Sequence, residues 1–457
     1  MKHILLVLIC LLFLFTRFYK IAEIPQSVYW DEASIGYNAY SIAETGKDEW
    51  GKSFPLHFRA FGEFKLPVYI YTVAFFVKVF GLNEFSVRFP SILFSLGIVL
   101  LTYLISKKLS GSSWVGLFSS FFVSISPWFF IFSRTGYEAT SGLMFYLLAI
   151  FLFLYIRKNY WYIFVSALGF VLSAYSYNSF RVIIPLTIPI LIFLELKNLK
   201  NFPKKVVYPL ILSILVIFLS IIPIYKLFVY DSGASRFLAV GGVSASSFLR
   251  NYISHFSPDF LLFGDKNLRS QQKNFGQIYM PELLLLILGL LYIIRKQQFV
   301  SLPLALLLLG PIPAAITKES PHALRAISMV PFMAMISALG LRYIKNYFSK
   351  HYFIEVTAII IFLLFFLNYF LNFITTYAES SKEAWQYGYK EIFTDQKLQS
   401  LTTNKILISD RNGQPYIFAL FYLKYDPEKF RSEVVRNPVD KWGFSTVRSF
   451  GKYEFGE

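Results

Sequence analysis

Charged residues are what this 457-residue sequence has least of. They make up 16% of the chain, against 56% hydrophobic and 19% aromatic, where a soluble domain carries roughly a quarter. With a mean hydropathy of +0.52, that scarcity excludes an ordinary soluble fold and indicates a membrane protein. Cysteine is nearly absent too: Cys10 stands alone, so no intramolecular disulfide forms. Ile9 occupies the place where a lipoprotein cleavage site needs a small residue, and no small-residue cleavage site follows the apolar run 4–19, which reads as a retained first span. Internal repeats are missing, which weighs against secondary transporters, many of them built from two related halves. There is no His/Cys cluster of ligand spacing, so no metal site is expected.

What is present is a net charge of +17, placed in a telling way. Lys107-Lys108, Arg157-Lys158, the lysines of 197–205, Arg295-Lys296 and the basic residues of 342–350 punctuate junctions between apolar segments. That is the positive-inside pattern rather than a nucleic-acid surface. Spans of about 20 residues are read near 4–22, 87–106, 113–132, 138–156, 160–177, 181–196, 206–229, 280–295, 299–316, 323–343 and 352–377. Residues 67–80 are apolar but short, and read as a helix lying in the interface. The expected fold is an α-helical polytopic membrane protein with about eleven transmembrane helices and interfacial helices in the first outer loop. A small C-terminal extracytoplasmic α/β or α+β appendage follows, dividing the chain into 1–377 and 378–457. The N-terminus and the basic clusters then face the cytoplasm; the loops 23–87 and 231–279 and the C-terminal region lie outside a cytoplasmic membrane.

Three arginines break the rules of that layout. Arg88, Arg181 and Arg325 sit near N-termini of helices entering from outside, where both the helix dipole and the positive-inside bias disfavour a cation. A shared anionic partner such as a phosphate accounts for them; snorkelling toward lipid headgroups is the bland alternative. Lys65 lies on the same face. Arg134 and Glu138 do as well, although Thr135 with Glu138 has capping-box spacing and Arg134 with Glu138 fits an i,i+4 pair. His322 follows Ser320-Pro321, which reads as a helix cap with a first-turn proline.

The stretch VYWDEASIGYNAYSIAETG places Asp31 and Glu32 on this outer face. Asp31 is a natural N-cap for a helix over 32–45 closed by Gly46. It is also a candidate base, since a carboxylate beside a cationic phosphate cluster suits displacement at an anomeric carbon with a lipid phosphate leaving. Tyr175, Tyr177 and Asn178 are candidate sugar or acceptor contacts.

The segments WDEASIGYNAYSI, GEFKLPVYIY, GLNEFSVRFPS, SRTGYEAT and ESPHALRA together resemble the GT-C superfamily of membrane glycosyltransferases. The branch they are most similar to contains bacterial protein O-mannosyltransferases and aminoarabinose transferases. The resemblance covers roughly residues 1–350 and is densest in the first 140. It implies inverting transfer of a sugar from a polyprenyl-phosphate donor to an acceptor hydroxyl on a protein, lipid or glycan, at the outer face of the membrane. It places the base at Asp31, with Glu32 and Glu138 as further acidic candidates. Lys65 and Arg88 fall at donor-phosphate positions, joined by Arg134, Arg181, His322 and Arg325. No cofactor is implied as required, although a divalent ion is compatible with a phosphate site. The competing expectation is a transporter or flippase for a lipid-linked saccharide, which would want polar groups at the bilayer midplane.

Overall fold

The computed structural model describes residues 2–199, 203–231, 233, 241–296, 301–346, 351–400, 405–440 and 444–456. Helices α1 (Lys2–Phe18), α2 (Trp30–Thr45), α3 (Pro67–Phe80), α4 (Glu84–Ser110), α5 (Ser113–Ile125), α6 (Pro127–Phe130), α7 (Ala139–Phe153), α8 (Trp161–Ala174), α9 (Asn178–Leu199) and α10 (Val207–Tyr230) make up the first half. The second half adds long helices at Met280–Lys296, Met329–Lys345 and His351–Asn372. Every segment read as a span contains a helix. Among the described residues four are long and apolar enough to cross a membrane unaided: Glu84–Ser110, Asn178–Glu195, Lys204–Tyr230 and Phe353–Ser380. The rest are shorter, and two expected spans are broken by proline. Ser126, held extended before Pro127, separates α5 from α6, and Pro311 splits Ser301–Leu309 from Ile312–Ala315; a residue before proline avoids the helical region, and proline lacks the amide that would continue the helix.

Helix α10 is apolar all round and leaves Ile214, Phe218 and Ile222 exposed, as a lipid-facing helix does. Helix α3 has the expected bounds and two faces. Pro67, Tyr69, Ile70, Val73 and Val77 are buried, while Phe75, Val79 and Phe80 are exposed. At 14 residues the helix is short for a span.

Two cores result. The larger joins the membrane helices; the smaller unites the first outer loop with the C-terminal region, packing Val28, Tyr37, Phe58 and Tyr69 with Phe418, Phe421 and Phe450. KILISD forms strand β3 (Ile406–Ile408), and QPYIFALFYLKY forms the helix Pro415–Tyr422. With β1 (Phe58–Arg59) and β2 (Phe64–Lys65) pairing in the first outer loop, the remaining strands are β4 (Val435–Arg436), β5 (Val447–Phe450) and β6 (Tyr453–Phe455). They form a four-stranded sheet in the order β3-β6-β5-β4, with β3 parallel to β6 and the other pairs antiparallel. The expected boundary at 378 is not a boundary between the cores. It falls where the helix from His351 runs on through a π-turn at Phe373–Tyr377 into Ala378–Ser380.

Candidate active site

Asp31 is not the cap of α2. The helix begins one residue before it, with Tyr29 at the N-cap and Glu32 Oε2 accepting the Tyr29 amide at 3.2 Å. Gly46 ends the helix at φ +68°, as expected. Relieved of capping, the Asp31 carboxylate lies 2.5 Å from the Lys65 ammonium. Lys65 is held by β2, and Glu63 approaches it at 3.4 Å. The Lys65 side chain is 4% exposed and that of Asp31 27%, so the carboxylate is the member of the pair that solvent reaches first.

Glu138 completes this cluster. It takes the N-cap position of α7 without capping, and its Oε1 accepts the Leu66 amide at 3.3 Å. Neither bland reading holds for it: Thr135 donates to the Ile131 carbonyl, and Arg134 turns elsewhere. Burial pushes the Glu138 carboxyl up to about 7 against the pull of Lys65, with Glu63 and Asp31 acting in the same direction as burial. At Lys65 burial works to lower the pKa, but Asp31, Glu63 and Glu138 outweigh it and hold the ammonium above its ordinary value.

Arg88 and Glu32 have a different task from the one their sequence positions suggest. Arg88 is fully buried and grips Glu32 through Nε and Nη2 at 3.0 and 3.1 Å. Its remaining donors reach the carbonyls of Ile21, Pro25 and Ser27. No donor remains for a phosphate, and Glu32, which also accepts the Gly136 amide at 2.6 Å, has no approach for an acceptor. Gly136 is needed there, since a Cβ would stand 2.8 Å from Val87 Cγ1 and 3.1 Å from Glu32 Cγ. Arg134 is likewise buried and directs its Nη atoms to the carbonyls of Thr16, Tyr19, Lys20 and Ile24. These three residues fasten the first outer loop to α1, α4 and the chain before α7.

The other candidates divide into two groups. Arg181 donates to the Ala174 carbonyl and to His57 Nε2 at 3.2 Å, above the Tyr175 ring. Burial, followed by Arg181 and Lys52, brings the His57 pKa down to about 3. Tyr175 donates its hydroxyl to the Ser220 carbonyl, and Asn178 is exposed at the start of α9. Tyr177 belongs with the carboxylates: the charges in its neighbourhood are Arg325, Glu138 and Glu63. Arg325 reaches Thr317 Oγ1 at 2.8 Å and Glu319 at 3.1 Å. His322 does not start a helix, because the next one begins only at Met329; its amide donates to His255 Nε2. Burial, then Arg325, His255 and Arg269, depress the His322 pKa to about 3, leaving the imidazole neutral.

Arg269, which sequence reasoning passes over, lies with its guanidinium 4.0 Å from the centre of the Tyr29 ring and within the electrostatic reach of Asp31. A cation in an outer loop, against the positive-inside bias, is the signal that marks it. Asp31, Glu63, Lys65, Glu138, Tyr177, Arg269, His322 and Arg325 thus form a chain of neighbours drawn from separate connecting segments. Among the described residues no group of three His, Cys, Asp or Glu side chains is placed to hold a metal ion.

Residues 65–224 match the family model described as dolichyl-phosphate-mannose-protein mannosyltransferase, a stretch that opens on Lys65. No curated protein sequence matches the chain. In structure the chain is similar to ArnT from Cupriavidus metallidurans, with a TM-score of 0.56 to the apo form and 0.58 to the form bound to undecaprenyl phosphate. Both comparisons are at 12% identity and cover 92% of this chain and 84% of ArnT. It is also similar to the Archaeoglobus fulgidus oligosaccharyltransferase AglB in complex with an inhibitory peptide and a dolichol-phosphate, with a TM-score of 0.53 at 12% identity, over 92% of this chain and 63% of AglB. The fold is that shared by ArnT and AglB, and the chain is a multi-pass membrane protein.

Proposed function

We propose that this protein is a glycosyltransferase that moves a sugar from a polyprenyl-phosphate donor to an acceptor hydroxyl at the outer membrane surface, with inversion. The observation that carries the reading is the reachable Asp31 carboxylate 2.5 Å from the buried Lys65 ammonium. Asp31 takes the acceptor proton as the acceptor oxygen attacks the anomeric carbon. The bond from that carbon to the phosphate oxygen breaks, and the phosphate leaves with both electrons. Lys65 stabilises the charge that develops there, with Arg269 and Arg325 flanking the site. A donor phosphate competes with Asp31 for Lys65, so donor binding itself releases the base. The undecaprenyl phosphate and dolichol-phosphate bound by the ArnT and AglB structures support this class of donor.

The distribution of charge supports this orientation. Lys107 and Lys108 end α4, Arg342 donates to the Ser110 carbonyl at that same end, and Arg157 pairs with Glu195 at the far ends of α7 and α9. These basic residues lie at the ends of their helices remote from Asp31, which supports a site on the outer face. Nothing among the comparisons favours a transporter. The test is transfer from radiolabelled polyprenyl-phosphate sugars by the purified protein, with undecaprenyl phosphate as competitor. Transfer blocked by the competitor supports the reading. A protein that neither binds undecaprenyl phosphate nor transfers any sugar of the panel overturns it.

A further inference from the structure

A cleft of about 710 Å³ opens between the start of α2 and the C-terminal loop 409–414. It begins at Tyr29 and Trp30, the two residues before Asp31, and Arg269 lines the same wall.

The cleft is constructed by specific contacts. Gln386, at φ +52°, accepts the Trp30 amide on Oε1 at 3.2 Å and donates from Nε2 to the Asn412 carbonyl at 2.5 Å. One side chain therefore ties the head of α2 to the C-terminal loop. Gly413, at φ +122°, lies against the indole: a Cβ there would stand 2.6 Å from Trp30 Cε3 and 2.7 Å from Gln386 Nε2. Only glycine lets the loop backbone approach so closely in that conformation.

The lining of the cleft is polar and aromatic. Asp410, Gln386 and Gln414 present carboxylate and amide groups, Arg269 a guanidinium, and Trp30 an aromatic ring, while the Tyr29 ring lies beneath the Arg269 guanidinium. Among the described lining residues Ala384 is the one aliphatic side chain. Planar amide, carboxylate and guanidinium groups pair with vicinal hydroxyls, and aromatic rings pack on the C–H faces of sugar rings. A lipid chain would want an apolar wall instead.

We infer that this cleft is the acceptor subsite and that the acceptor is a saccharide chain, entering past the C-terminal loop so that its terminal hydroxyl meets Asp31 from the Trp30 side. The inference rests on Asp31 being the base of the transfer.

The experiment titrates mannotetraose, chitotetraose and tetragalacturonate into the full chain in nanodiscs, and in parallel a Ser/Thr-rich peptide and undecaprenyl phosphate. Hydrogen exchange is followed over residues 384–387 and 409–414. The expected result is protection by a saccharide, with affinity about tenfold weaker in Gln414→Ala and in Asp410→Ala, while undecaprenyl phosphate binds both variants as it binds the wild type. Protection by the peptide instead, saccharide binding indifferent to both substitutions, or no saccharide protection in the wild type overturns the inference. Saccharide protection without any binding of undecaprenyl phosphate upholds the cleft and removes the lipid-donor reading.

Discussion

Asp31 and Glu32 are adjacent in sequence and belong to separate ion pairs: Asp31 meets Lys65 at 2.5 Å, and Glu32 meets Arg88 at 3.0 Å. The first pair is open to solvent on the carboxylate side; the second is sealed, at 0% and 3% side-chain exposure. One motif therefore supplies a solvent-reachable carboxylate and the anchor that positions it.

Replacing Asp31 with Asn removes the base and keeps the shape. Sugar transfer falls by about 10²–10⁴-fold, while the variant still folds in detergent at a lower Tm, because the buried Lys65 ammonium loses its nearest carboxylate and keeps Glu63 and Glu138. Undiminished transfer by the folded variant would pass the role to Glu138.

Arg88→Ala leaves the Glu32 carboxylate buried without its partner, a loss of about 3–5 kcal/mol. The expected outcome is a large drop in Tm and in the yield of folded protein. A variant that is stable yet fails to bind donor would restore Arg88 to the phosphate site.

Lys65→Gln tests the phosphate contact. Losing a hydrogen bond to a charged group is worth about 1.5–3 kcal/mol, so undecaprenyl phosphate should bind roughly 10- to 150-fold more weakly. Equal affinity in equilibrium binding would place the phosphate elsewhere.

Glu49 carries a pH signature. It accepts from Tyr416 Oη and Asn38 Nδ2, and burial pushes its carboxyl up from 4.5 to about 7. Between those values the folded chain holds a proton that the unfolded chain has lost, so stability declines as pH rises through that window. Glu49→Gln should make this slope shallower in a series of Tm measurements from pH 4 to 8, Glu138 contributing the remainder in the same direction; an unchanged slope would exclude Glu49 as a source.

Hydropathy locates each membrane helix, because the bilayer imposes a length and a composition that the sequence carries openly. Partners distant in the chain leave no such trace. Arg88 looks available for phosphate because Glu32 lies 56 residues away, and Asp31 looks like a cap because nothing local announces Lys65. Arg269 sits in the loop GDKNLRSQQ, which has no periodicity to set it apart. The C-terminal region reads as a separate appendage because its apolar face shows no sign of which surface it meets.

That shared core has a consequence for biogenesis. Val87 is made early and Phe418 late, yet they belong to one cluster. At about 5–20 residues per second the ribosome needs roughly 15–65 s to make the chain between them. For that interval the segment 28–87 waits with an unfinished interior, while most of the remaining helices insert. Arrival of the helix Pro415–Tyr422 closes that interior, so a chain cut short in its last tenth would lose order around Asp31, far back in its sequence.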